Sequence, residues 1–206
     1  MRPKTWSFTP AAASTTGLAS SVTGASFTLT ASSAGDSLAH QITITNLTVN
    51  THVGQNMTIV GTDANGGSYT ETITGPGGSA TVTTTGYFLT VTSVTPSATI
   101  GADTFSIGWN GVSTSNTFVP DYLQAAFSMG LGCTITGTIN YSLQHTFSDP
   151  FAVQANSAIW FAHSTIASKT ANQDGNYAAP VRGIRLLVNS VTAGATIKVT
   201  FTQGSV

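Results

Sequence analysis

The sequence predicts an all-β protein made of two antiparallel sandwich domains, jelly-roll or Ig-like, preceded by an extended N-terminal arm. Three observations predict it. Only 6% of the 206 residues are charged, against about 25% in an average soluble protein. Ser and Thr, about 60 residues together, take over the polar faces instead. An exposed helical face needs Lys, Arg and Glu with i,i+4 pairing, and a chain with a single glutamate and few lysines cannot supply it. Finally, apolar residues alternate at period two in short runs closed by Gly, Pro, Asn or Asp, at spacings of about 8 to 12 residues, as in sandwiches and closed barrels.

Taken in order, residues 1–35 are small, polar and rich in Gly, Ser, Thr and Ala, with one strand expected at "SFTLTA" (26–31). They read as an arm ordered only by a neighbour, because such residues bury too little apolar surface to offset backbone entropy. From residue 38 the alternation begins. "HQITITNLTV" places Ile42, Ile44, Leu47 and Val49 on one strand, with a phase slip at Asn46 that suggests a bulge. "QNMTIVGT", "ATVTTTGYFLTVTSVTPS" and "DTFSIGWNG" continue a first domain spanning 36–111. "GVSTSNTFVPDY" (111–122) loses the alternation and contains Pro120, which places a linker at 112–116. A second domain, 117–206, opens with "AFSMGLGCTITGTINYSLQHTF", a long strand or strand pair. It closes with "PVRGIRLLVNSV" and "ATIKVTFTQ" on either side of "TAG", which predicts a hairpin.

The chemistry-bearing residues are sparse. "GTDANGGSYTETITGPGG" (61–78) holds Asp63, Asn65 and Glu71 among glycines and hydroxyls, and invites a calcium-loop reading. The register fails, because the position that should carry the bidentate glutamate is Thr74. The stretch reads as a hairpin, "DANGG" being a turn whose Asn and Gly tolerate positive φ. His40, His52, His145 and His163 have no zinc-like spacing, and Cys133 has no second cysteine to pair with. Alternation with Ile135 and Ile139 makes that thiol a buried structural one. His145 stands four residues before Asp149, with Ser142 or Ser148 nearby, but no nucleophile elbow accompanies them. The acids Asp36, Asp63, Glu71, Asp103, Asp121, Asp149 and Asp174 fall mostly in turn contexts, without a pair suited to glycoside cleavage. Trp6, Trp109 and Trp160 read as packing or contact residues rather than a sugar platform. No catalytic, cofactor-binding or metal-binding residue is therefore assigned. A net charge of -1 supplies no basic stripe for nucleic acid. No apolar run is long enough for a membrane-spanning helix, and the N-terminus lacks the apolar core of a signal peptide.

Two stretches carry a resemblance. "GTDANGGSYTETITGPGGSATVTTTGYFLTVTSVTPSATIGADTFSIGW" (61–109) resembles a β-rich module of small virion proteins of tailed bacteriophages, in which a GTDAxG turn, a TETxTGP strand and a YFxTVTSV strand follow in this order. "GTINYSLQHTFSDPFA" (137–152), "WFAHSTIASKTANQDGNYAAPVRGIRLLVNS" (160–190) and the terminal "IKVTFTQ" resemble a sandwich module of the same class. The resemblance implies a non-enzymatic virion structural protein, in the first instance a decoration or cement protein on the capsid exterior. Its partner would be the major capsid protein or another virion structural protein, and it would act as a homo-oligomer, a trimer before a dimer. A tail or neck component that binds a host-surface glycan or receptor is the alternative, and it expects exposed aromatics among Tyr69, Tyr87, Trp109, Tyr141 and Trp160.

Overall fold

The computed structural model describes residues 3–123, 127–152 and 154–204. Among them are fourteen strands and no helix: β1 Lys4–Phe8, β2 Ser14–Val22, β3 Ala39–Asn46, β4 Asn56–Thr62, β5 Ser68–Thr74, β6 Thr81–Thr83, β7 Thr90–Pro96, β8 Phe105–Thr114, β9 Met129–Thr136, β10 Ile139–Thr146, β11 Phe161–Ala162, β12 Gln173–Tyr177, β13 Gly183–Val191 and β14 Thr196–Gln203. The expected all-β, sandwich-like architecture is observed, and every named pairing is antiparallel.

A seven-stranded sheet runs through the whole molecule in the order β11-β10-β13-β8-β3-β6, with β2 also on β8. Two smaller sheets cover it. The three-stranded sheet β5-β4-β7 closes one apolar cluster, in which Met57 and Ile59 meet Ile42, Ile44, Phe105 and Ile107. The four-stranded sheet β1-β14-β9-β12 closes a second, where Ile197, Val199 and Phe201 meet Tyr141, Leu143 and Leu186. Period-two alternation explains both: β4 buries Met57, Ile59 and Gly61 and turns Thr58 and Val60 outward.

The N-terminal segment departs from expectation. It is not an extended arm. β1 pairs along its length with β14, and Trp6 packs edge-on against Phe201, 5.0 Å between ring centroids. β2 pairs with β8 and buries Leu18 and Ala19. The strand expected at 26–31 lies instead at Ser14–Val22, and Phe27 makes only an isolated bridge to Val94. These weakly apolar strands borrow a core from both halves of the chain, which composition cannot reveal.

The stretch 112–116, read as a linker, contains the end of β8. Ser113 and Thr114 pair with Val188 and Leu187 of β13, and Ser115 N–H donates to Leu186 O. Alternation is lost there because that part of the sheet is covered on both sides; Ser113, Thr114 and Ser115 are all buried. The phase slip at Asn46 is also explained. The strand ends there, and Asn46 is buried, its Nδ2 donating to Asn50 O and Gly77 O while its Oδ1 accepts from Thr48 N–H. Leu47 and Val49 consequently point to solvent rather than continue the strand.

The expected terminal hairpin is also absent. β13 belongs to the seven-stranded sheet and β14 to the four-stranded one, so "TAG" carries the chain across the sandwich. β9 and β10 do the same at the same end. The two crossings touch: Thr192 N–H donates to Thr138 O, and Gly137, at φ +80°, lies against Ala195.

Candidate functional site

The turn in "GTDANGG" is a hairpin turn, as its sequence indicates, joining β4 and β5 in register from Asn56↔Thr74 to Thr62↔Ser68. Asp63 is 1% exposed. Its Oδ1 accepts from Asn65 and Gly67 N–H at 2.9 and 3.0 Å, which closes the turn. Its Oδ2 accepts from Ala155 N–H at 2.8 Å, ninety-two residues away. Asn65 extends the junction, accepting from Thr117 N–H and donating to Pro150 O. Asn156 bonds both backbone groups of Tyr87. A turn that looked purely local therefore fastens the two halves of the molecule through charge-assisted hydrogen bonds. Glu71 is similarly engaged, accepting from Thr85 N–H, Gly86 N–H and the Tyr69 hydroxyl.

The histidines separate into local structural roles. His40 Nε2 meets Asp36 at 2.9 Å, and His52 Nε2 meets Asp103 at 2.8 Å. Burial works against ionisation of Asp36, but the hydrogen bond and charge of His40 and the N–H groups of Ala11 and Leu38 outweigh it, leaving that carboxyl below its usual range. Hydrogen bonds from Asn50 and His52 lower Asp103. His163 Nε2 contacts Asn176 O. His145 bonds the Tyr177 hydroxyl at 3.0 Å and is ringed by Phe147, Phe161 and Tyr177. Burial, and then the neighbouring His163, push it below its ordinary value. Asp149 is not its partner; its carboxylate accepts from Phe151 and Ala152 N–H and pairs with Arg182. Ser142 Oγ is taken up by Ser168 N–H and Asn189. The triad suggested by spacing is not assembled.

Cys133 is buried on β9, and desolvation pushes its thiol up to about 12 despite a hydrogen bond with Tyr141. Among the described residues no group of three His, Cys, Asp or Glu side chains is placed to hold a metal ion. Of the aromatics considered for recognition, Tyr141 is fully buried, while Tyr69, Tyr87, Trp109 and Trp160 are half-buried. Trp109 Nε1–H donates to Ala12 O, anchoring the N-terminal segment.

Two surface features were not visible in the sequence. One is an apolar patch in the second half, where Phe147 (61% exposed) and Phe161 (49%) stand out. The rings of Phe147 and Phe161 lie 6.1 Å apart, flanking His145. Ile159 and Phe151 are exposed along the same 147–161 segment. The other is a cavity of about 310 Å³ at the junction of the halves, with Arg185 in its wall. Arg185 lies 4.2 Å from the Trp160 ring centroid and 5.6 Å from that of Tyr87. Burial lowers its guanidinium to about 10, so it is charged at neutral pH. No protein-family model matches the chain, and no curated protein matches its sequence.

Proposed function

We propose that the chain is a non-enzymatic structural protein of a bacteriophage particle, a decoration or cement protein that binds the capsid exterior as a homo-oligomer, a trimer before a dimer. The exposed aromatic patch of Phe147 and Phe161 carries this reading, together with the ordered GTDAxG, TETxTGP and YFxTVTSV resemblance. Large apolar side chains grouped on a surface mark contacts with other proteins. In a chain with so few charges, those contacts rest on burial and main-chain pairing rather than ion pairs. The N-terminal strands take no part in such contacts as a free arm, since β1 and β2 are paired within the chain. Repeated symmetric positions on a shell favour a symmetric oligomer that gains effective concentration from each added contact.

Antibody labelling of intact particles tests the reading. Signal over the head supports decoration. Signal at the tail tip moves the chain to the alternative, a host-surface binding module, and particles without signal refute a virion role. Binding to undecorated capsids should change little between low and moderate salt, because screening acts on ion pairs. The double substitution Phe147→Ser and Phe161→Ser should reduce that binding at least tenfold.

A further inference from the structure

We propose that the cavity at the junction of the halves binds an acidic sugar, with the carboxylate of a hexuronate residue seated on Arg185. Arg185 is the third residue of β13 and is 7% exposed. A guanidinium carries five N–H donors in one plane. One of them, Nε–H, donates to Gln144 Oε1 at 2.8 Å; among the described residues the two Nη nitrogens donate to no acceptor and no carboxylate pairs with them. Glu71, whose partners Tyr69, Thr85 and Gly86 line the same cavity, is already committed to those three. The rings of Trp160 and Tyr87 stabilise the charge through their faces, yet a ring face satisfies no in-plane N–H. An arriving carboxylate satisfies two at once, through parallel charge-assisted bonds.

The rest of the wall selects a sugar over a simple anion. Gln144 Nε2 and the Tyr87 hydroxyl make no hydrogen bond among the described residues, and both line the cavity. They are suited to ring hydroxyls, and Trp160 offers apolar surface to a sugar's C–H face. About 310 Å³ lies at the small end of ligand pockets and suits a single sugar ring. A neutral sugar would leave the guanidinium unpaired, and inorganic phosphate would leave the amide and hydroxyl unused. The proposal holds wherever on a particle the chain sits.

Titration calorimetry with trigalacturonate, glucose and inorganic phosphate tests it, with tryptophan fluorescence as a second readout. The expected result is saturable binding of trigalacturonate, at least tenfold tighter than glucose or phosphate, and lost in Arg185→Met. Because truncating a buried arginine can cost the fold, Gln144→Ala provides a milder variant that keeps the guanidinium. It should stay folded, with a slightly lower melting temperature because Arg185 Nε–H loses its acceptor, and bind several-fold more weakly. Failure of the wild-type protein to bind trigalacturonate at millimolar concentration would overturn the proposal. So would phosphate binding as tightly as the uronate, or undiminished binding by a folded Arg185→Met protein.

Discussion

The segments 56–74 and 183–203 share a local pattern: an alternating strand, a short turn containing glycine, and a second alternating strand. In the first, β4 and β5 pair with each other. In the second, β13 and β14 lie in different sheets. The difference follows from who else claims the strand edges. β13 is hydrogen-bonded on one side by β10 and on the other by β8, while β14 is held between β1 and β9. Neither has an edge left for the other. β4 needs only β5 and β7, and β5 is itself the outer strand of its sheet. A turn sets where a chain reverses; competition for main-chain donors and acceptors sets what it pairs with.

The largest loss is expected at the hairpin's own turn. Asp63→Ala removes a buried carboxylate that accepts three backbone N–H bonds. At about 1.5 to 3 kcal/mol for a hydrogen bond to a charged group, with water recovering part, the loss should be about 3 to 5 kcal/mol in urea unfolding. Amide exchange should quicken at Ala155 as well as in the turn, because one side chain serves both. A loss confined to residues 63–67 would show that the junction does not depend on it.

Next in size is the crossing segment. Leu186 is 0% exposed within the second apolar cluster, so Leu186→Ala should cost about 3 kcal/mol. The matching truncation in the hairpin, Ile73→Ala, removes a half-buried side chain and should cost about 1 kcal/mol. Equal costs would mean that crossing between sheets confers no extra burial.

Gly137→Ala probes the contact between the two crossings. It adds a Cβ 3.0 Å from Ala195 at a positive φ, and should cost about 1 to 2 kcal/mol. The smallest effect is a pH dependence. His145 has a folded pKa below its ordinary value of 6.5, so the unfolded chain takes up the proton first as pH falls. Its contribution is fully present above the unfolded pKa and is lost as pH falls through the folded one. The melting temperature of the wild type should therefore fall more than that of His145→Gln between pH 7 and pH 5.

The hairpin turn was legible because Asp63, Asn65, Gly66 and Gly67 act first on their own backbone, and the buried position of Cys133 because alternation marks it. The Arg185 cavity was not, since Gln144, Tyr87 and Trp160 come from separate segments that only strand pairing and loop docking bring together. Nor was the second role of Asp63, because nothing near Ala155 in the chain signals an incoming carboxylate.

The all-β class follows from composition, since a chain with so few charged residues cannot solvate helical faces. The bounds of β4 and β14 were also legible to within a residue, through the Gly, Asn and Asp residues around them. Those are consequences of local backbone preference and of period-two burial, and they require no knowledge of distant partners. The tertiary structure alone decided that β1 and β2 are sheet members rather than an arm, that β13 and β14 part company, and that one sheet runs through both halves. Each of these depends on which strand edge is free when the core closes, and strand edges present the same N–H and C=O groups whatever side chains they carry.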